Sequence, residues 1–212
     1  MTEGAWMAAK KKAGYVPARK NDPEGVRARF LDVAAELFQS RGYCATGMQA
    51  IFEEAGVTAG AFYHHFEGKK DLALAVIEER VAAEVEQTWI APVREAKTTL
   101  EGVTSVFKNI ATQLEARRAV RGCPLNNLTL ELAFADPDFQ QGLAKVFAHW
   151  QREIEAKLKQ DMNEQALPRS KPGPLAAYIV AVYSGAMALS KVQQSAAPLL
   201  QCLPELRDRL SS

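Results

Sequence analysis

The chain has 212 residues, of which 48% are hydrophobic and 24% charged, with a formal net charge of +1. This composition excludes an intrinsically disordered protein and provides for one core, or for a small module attached to a larger one. The three cysteines, Cys44, Cys123 and Cys202, stand far apart, without a C-x-x-C pair or a cysteine and histidine cluster. We therefore expect no metal site and no cofactor.

The sequence predicts a cytoplasmic protein without a membrane span. Its longest apolar stretch, Leu175 to Leu189, contains tyrosine, serine and glycine and falls short of the about 20 residues that cross a bilayer. Residues 1–9 lack the basic start and apolar run of a secretory signal.

The N-terminal region, residues 1–21, is predicted to be a basic, flexible tail. Two interpretations stay open and are compatible: a solvated tail that keeps the protein soluble, and a segment that contacts nucleic acid. The basic residues in and just after this region are Lys10, Lys11, Lys12, Arg19, Lys20, Arg27 and Arg29.

The first helix is predicted from Pro23 to Gly42. Apolar side chains recur there at intervals of three and four residues, which places them on one face. Asp22 can cap the free N–H groups, proline suits the first helical position, and glycine suits the left-handed stop. The apolar residues are Phe30, Val33, Ala34, Leu37 and Phe38.

Two short helices follow. Thr46 to Gln49 has the form of a capping box and opens a helix that stops at Gly56. Thr58 can then cap a third helix, Ala59 to His65. Two short helices separated by four residues predict a helix-turn-helix.

The rest of the chain also has helical patterns and no strand pattern, so we predict an all-α fold. A fourth helix is expected from about Lys69 to Trp89, stopping near Pro92. The later predicted helices run from the Thr98–Glu101 capping box to about Arg118, from Leu125 to Phe134, from Asp136-Pro137 through Leu158, from Leu175 to Gln194, and from Pro198 to Leu210.

The segment Phe30 to Val76 resembles the DNA-binding domain of TetR-family repressors. The matching residues are Ala34, Leu37-Phe38, Gly42-Tyr43, Thr46, Ile51, Ala55-Gly56-Val57, Gly60, Phe62-Tyr63-His64-His65-Phe66, Lys69 and Leu72. The resemblance implies a three-helix, helix-turn-helix DNA-binding domain over residues 22–68. It also implies a helical effector-binding and dimerisation domain over residues 69–212.

The resemblance further implies that the third helix enters the major groove of a double-stranded DNA operator. Thr58, Gly60, Tyr63 and His64 would then lie near bases or phosphates. Thr46 and Lys69 match positions that hold the phosphate backbone in the family, although Thr46 could equally serve only as a helix cap.

Some residues of this segment have other expected roles or depart from the family pattern. His65 is expected to pack against the domain's own helices. The sequence has Ala59 where a lysine is frequent and Gly47 where serine or threonine is frequent, which puts two usual DNA contacts in doubt. This departure motivates an alternative, a protein-interaction module that no longer binds DNA.

The segment Arg121 to Leu128 looks like a subgroup of TetR repressors with a Gly-Cys helix start, associated with reactive electrophiles or small unsaturated acids. Cys123 would lie at a helix N-terminus, where the helix dipole can lower the pKa of a thiol. Cys123 is therefore either an effector-sensing thiol or a buried structural cysteine.

We also predict a pocket for a small-molecule effector in the helical body, whose occupation releases the operator. Aromatic and aliphatic walls with a few polar groups are typical of such sites, although the same side chains could simply fill the core. The predicted lining residues are Phe107, Cys123, Asn127, Leu128, Glu131, Phe134, Phe147, Trp150, Tyr178 and Tyr183.

The last two helices are predicted to form a homodimer interface, because the first of them is apolar on more than one face. A two-fold dimer requires a roughly palindromic operator. An enzyme is not expected: there is no glycine-rich phosphate loop, and His149 with Glu153 is interpreted as a surface pair.

Overall fold

The computed structural model describes residues 22–117, 119–168 and 170–211, which form nine helices and, within these ranges, no β-strand. The all-α prediction is confirmed, while the predicted basic tail lies outside the described residues. The helices are α1 (Pro23–Arg41), α2 (Met48–Ala55), α3 (Ala59–Tyr63), α4 (consecutive segments Lys69–Val76, Ile77–Val81, Ala82–Val85, Glu86–Ile90 and Ala91–Glu95), α5 (Thr99–Glu115), α6 (Pro124–Leu132), α7 (Pro137–Asn163), α8 (Pro172–Gln193) and α9 (Ala197–Ser211).

Four of the helices begin at side-chain caps, of which those at Asp22, Thr58 and Thr98 were predicted from the sequence. In each, an oxygen of the capping residue accepts a hydrogen bond from an N–H of the first turn, which otherwise has no helical partner. The bonds are Gly25 N to Asp22 at 2.9 Å, Ala61 N to Thr58 at 3.3 Å, Glu101 N to Thr98 at 3.2 Å and Asp138 N to Asp136 at 2.8 Å.

Helix α4 does not stop near Pro92, as the sequence predicted, but continues to Glu95. A proline lacks the N–H for a regular helical bond, and its ring collides with the preceding turn. Two π-helical segments, Ile77–Val81 and Glu86–Ile90, widen α4 before the proline. The wider turn at 86–90 accommodates Pro92 without ending the helix.

Helices α1 to α3 and the first segment of α4 share one small core, and we call these residues, 22–76, the head. The rings of Phe30 and Phe62 are fully buried and meet edge to face, with centroids 5.2 Å apart. Leu72 and Val76 of α4 are buried as well. The head therefore continues into the long helix that leads away from it.

The remaining helices form the body, which contains a buried aromatic cluster. The ring of Trp89 lies 5.0 Å from that of Trp150 and 4.7 Å from that of Tyr183, measured between centroids. The ring of Phe107 packs against the same group at 5.7 Å from Trp89. These contacts join α4, α5, α7 and α8.

A buried polar network fixes the start of α5. Asp161 of α7 has no exposed surface, and its Oδ2 accepts hydrogen bonds from the backbone N–H and the hydroxyl of Thr99. The amino group of Lys157 lies 3.0 Å from Oδ1 of the same carboxylate. One buried carboxylate thus holds a helix start and a buried cation together.

Helix α8 is longer than predicted, because it begins at Pro172. Its 22 residues are apolar enough to cross a membrane by length and composition alone, and 44% of the most apolar stretch is buried inside the protein. The helix packs against α7 and α9. Its buried side is part of the body core.

Candidate functional site

The loop before α3 and α3 itself present the predicted DNA-contacting residues on the surface. Thr58, Gly60, Tyr63 and His64 are exposed, and Tyr63 has 62% of its surface accessible to solvent. Gly56 makes the turn between α2 and α3 with a positive φ of 62°, a conformation that favours glycine. His65 is half-buried, with its ring centre 6.4 Å from that of Phe66, which fits its expected packing role.

Thr46 does not have either of the roles that the sequence suggested. Its side chain is fully buried, and its hydroxyl donates to the carbonyl of Gly42 at 2.7 Å. Helix α2 starts one residue later, with Gly47 as its cap residue and no side-chain cap bond. The buried Thr46 hydroxyl closes the turn after α1, so it can neither cap α2 nor reach a phosphate.

Two helix starts in the head are free of side-chain caps. Gly47 precedes α2 and Gly68 precedes α4, and neither glycine supplies a side-chain cap, although Asp71 in the first turn of α4 accepts from the backbone N–H of Glu67 at 3.0 Å. Uncapped N–H groups favour a nearby phosphate. The amino group of Lys69 lies 4.2 Å from the centre of the Tyr43 ring, and burial lowers the pKa of Lys69. Its phosphate contact stays a prediction.

Helix α6 is joined to the head through Glu131. One carboxylate oxygen of Glu131 accepts from the backbone N–H of Tyr43 at 2.9 Å, and the other accepts from that of Cys44 at 2.6 Å. Burial alone would raise the pKa of Glu131, but these hydrogen bonds outweigh it and leave the pKa below its usual value. We call these two bonds the α6 clasp.

Asn127, one turn earlier on α6, lies beside the α6 clasp. Its amide group donates to the side chain of Gln39 at 2.9 Å, and its oxygen accepts from Lys191 at 2.9 Å. Asn127 and Glu131 line an open cleft of about 380 Å³ between the head and the body. Both were predicted to line the effector pocket, and the structure uses them instead to connect the head with the body.

A second, smaller cavity, partly open to solvent, lies in the body between α4, α5, α6, α7 and α8, and we call it the body cavity. Its volume is about 70 Å³. Three predicted residues, Cys123, Trp150 and Tyr183, line it. Other lining residues that the sequence analysis missed are Trp89, Met187, Glu84, Thr88, Gln113 and Arg117.

The other predicted pocket residues lie elsewhere. Phe134 is fully exposed, because α6 ends at Leu132 and leaves it beyond the helix. Tyr178 has 42% of its surface exposed on the outer side of α8. Phe107 and Leu128 are buried in the core, and the ring of Phe147 stacks on that of Trp150, but none of these three lines the cavity.

The thiol of Cys123 is not activated in this structure. Burial raises its pKa to about 11, and hydrogen bonds from the backbone of α6 oppose this only in part. The thiol is therefore protonated at neutral pH, whereas a reactive cysteine needs a thiolate. Of the two sequence interpretations of Cys123, the buried structural cysteine agrees with this pKa, because desolvation exceeds the effect of the helix N-terminus.

We expect iodoacetamide at pH 8 to modify Cys44 before Cys123. Cys44 is exposed and Cys123 is buried, although the hydrogen bond with Glu131 also raises the pKa of Cys44. Peptide mass spectrometry over time would measure both rates, and urea should remove the difference. Faster labelling of Cys123 in the folded protein would contradict the protonated state.

Known protein families match both the head and the body of this chain. Residues 30–76 match the family model for bacterial regulatory proteins of the tetR family, and residues 99–204 match that of the LmrA/YxaF-like transcriptional regulator C-terminal domain. The chain belongs to the TetR family of transcriptional regulators. The family consists of transcription regulators and not of enzymes.

Individual proteins of the TetR family are similar to this chain over most of their length. The transcriptional regulator LmrA of Bacillus subtilis is 28% identical over 86% of this chain and 97% of that protein. The repressor DhaR of a Mycobacterium species is 25% identical over 84% and 88%. A TetR regulator from Chloroflexus aurantiacus superposes with a TM-score of 0.79 at 25% identity, over 90% of this chain and 96% of that one.

No enzyme-like constellation accompanies the TetR architecture in the described part of the chain. His149 lies 3.7 Å from Glu86, Glu153 lies 3.8 Å from Arg94, and Arg94 pairs with Glu86 at 2.9 Å, so all four belong to one polar group on the surface. Among residues 22–117, 119–168 and 170–211, no three histidine, cysteine or acidic side chains are grouped as a metal site requires.

Proposed function

We propose that the protein is a dimeric repressor that a small-molecule effector releases from a roughly palindromic operator in the cytoplasm. The main observation is that α6 contacts both functional regions. Its start, Cys123 to Leu125, lines the body cavity, and its last turn carries the α6 clasp. A ligand in the cavity therefore pushes on the helix that holds the head.

The coupling follows from this connection. An effector that prefers a body with α6 displaced shifts the population away from the arrangement with the α6 clasp closed. Helix α4 offers a second connection, since Leu72 and Val76 are in the head core while Val85 and Trp89 line the cavity. Either displacement changes the position of the two heads relative to each other and to successive major grooves.

Operator binding is tested by measuring affinity for the DNA upstream of the protein's own gene with the full chain. A repressor should prefer this DNA to a shuffled sequence by at least about a thousandfold. A protein-interaction module, the alternative motivated by Ala59 and Gly47, should show no sequence preference. Equal affinity for both DNAs would therefore reject the repressor.

We expect Tyr63→Ala and Lys69→Ala to weaken operator binding without changing dimerisation. Tyr63 is exposed on α3, so each loss of a base or phosphate contact should cost about tenfold in affinity. Lys69→Ala should also reduce the salt slope of binding by about one. Glu95→Ala, at the body end of α4, is the control, and unchanged binding by both test variants would reject the assigned surface.

We expect Leu189→Glu to convert a dimer into a monomer. The outer side of α8 is an uncharged stripe with helical spacing, formed by Tyr178, Ala181, Gly185, Ala188, Leu189 and Val192. Such a stripe favours a symmetric helix contact, and a glutamate from each copy would bury two like charges. Sedimentation velocity at micromolar concentration measures this, with Lys159→Glu as control, and a dimeric Leu189→Glu would contradict it.

The resemblance to the Gly-Cys subgroup suggested a reactive electrophile or a small unsaturated acid as the effector, and only the electrophile would bind covalently to Cys123. The helix start is present, with Cys123 as the N-cap residue of α6, but the raised pKa of its thiol favours a noncovalent ligand. In an operator-release assay, Cys123→Ser should respond to noncovalent effectors as the parent protein does. Loss of response to electrophiles alone would restore the covalent alternative.

A further inference from the structure

Two buried hydrogen-bond donors belong to side chains that line the body cavity. The indole N–H of Trp150 makes no hydrogen bond among the described residues, and the two side chains are 2% (Trp89) and 0% (Trp150) exposed. The indole N–H of Trp89 has one close polar neighbour, the hydroxyl of Tyr183, but makes no hydrogen bond of good geometry with it. Buried donors normally have partners, so two unpaired ones in one cavity wall indicate a missing acceptor.

The other buried groups in the cavity wall are neutral. Burial raises the pKa of the Tyr183 phenol and that of the Cys123 thiol, so both remain protonated at neutral pH. The charged lining residues, Glu84 and Arg117, are exposed and of opposite sign. An ionic ligand would lose its hydration here without gaining a buried counter-charge.

The size of the cavity also limits its ligand. A volume of about 70 Å³ corresponds to roughly two water molecules at about 30 Å³ each, so the ligand has only a few non-hydrogen atoms. The surrounding rings of Trp89, Trp150 and Tyr183 provide an apolar enclosure for the remainder of such a molecule.

We propose that the cavity binds a small, neutral carbonyl compound whose oxygen accepts hydrogen bonds from the Trp89 and Trp150 indoles. This inference rests on the proposed function, because it names the chemical class of the effector. The acceptor satisfies donors that are otherwise unpaired, and the rings enclose the hydrocarbon part. An isosteric hydrocarbon would fill the same space and leave both donors unsatisfied.

The test uses a matched pair of ligands, acetone and isobutene, which differ only in C=O against C=CH₂. Ligand-observed NMR titration of the full chain gives both affinities, with isopropylamine and isobutyrate as charged comparators. We expect the ketone to bind about fivefold or more tightly than the alkene, as one net hydrogen bond allows. Both charged compounds should bind more weakly than the ketone.

Three variants connect the preference with the indoles. Trp150→Phe and Trp89→Phe each remove one N–H, so each should reduce the ketone-to-alkene preference, and the double variant should abolish it. Phe107→Leu is the matched control, because it disturbs the same aromatic cluster and keeps both donors. It should lower both affinities and keep their ratio.

The outcomes separate this inference from the proposed function. No binding at millimolar concentration, tighter binding of the alkene or a charged compound, or an unchanged ratio in the tryptophan variants would overturn the inference. Operator affinity is measured in parallel with the same compounds. Selective ketone binding that leaves operator affinity unchanged supports the recognition and rejects effector release. Release of the operator by other ligands, without a binding preference for the ketone, supports the proposed function and overturns this inference.

Discussion

Asp161→Ala is expected to lower the free energy of unfolding by about 3–5 kcal/mol, the cost of breaking a buried ion pair. The substitution would leave the amino group of Lys157 buried without its carboxylate. It would also remove the acceptor of the Thr99 N–H and hydroxyl, which stand at the start of α5. For a protein of this size the midpoint of thermal unfolding should fall by on the order of 10 °C.

The control for Asp161→Ala is Glu155→Ala on the same helix. Glu155 pairs with Lys159 at 2.6 Å, but this pair is on the surface, so its loss should cost about 0.5 kcal/mol or less. Urea unfolding at one fixed protein concentration compares them, because association also contributes to stability. Equal effects of the two substitutions would show that the buried network does not stabilise α5.

Glu131→Ala is expected to open the α6 clasp. Hydrogen bonds to a charged group contribute about 1.5–3 kcal/mol each, so the amides of Tyr43 and Cys44 should exchange with deuterium at least about tenfold faster. Amides in the interior of α7 should be unchanged. Glu95→Ala is the matched control, since it removes an exposed carboxylate outside this contact.

The same variant tests the coupling and its pH dependence. With the α6 clasp open, an effector should change operator affinity less than in the parent protein. A lowered pKa of Glu131 means that its stabilisation is present above the unfolded value, near 4.5, and is lost as the pH falls through the folded value. Unaltered exchange at Tyr43 and Cys44 would contradict the α6 clasp.

The head could be predicted from the sequence because its determinants are local. The caps at Asp22 and Thr58 and the positive φ of Gly56 depend on residues within one turn. The predicted role of Thr46 was wrong, because a buried threonine whose hydroxyl bonds to the preceding turn has the same sequence pattern as an exposed helix cap. The orientation of one hydroxyl depends on packing, which the pattern does not contain.

The site was less predictable because it depends on contacts between distant segments. Glu131 and Asn127 are polar residues on an apolar helix, which suggested a ligand pocket, but their partners are 88 residues earlier in the chain. Trp89 could have been found, since Val81, Val85 and Trp89 recur every four residues along α4. That spacing places all three on the face that lines the cavity.

The two π-helical segments of α4 have a consequence for how this protein can evolve. A helix turns by about 100° per residue, so one residue inserted or deleted between Val76 and Val85 would rotate the head around the α4 axis by that angle. A π turn is wider than an α turn and can take up one extra residue locally. The number of residues in Ile77–Val81, together with the π form of this segment, therefore sets the angular phase between α3 and the outer stripe of α8. A change of that number would alter which operator geometries the molecule can recognise, even with every DNA-facing side chain unchanged.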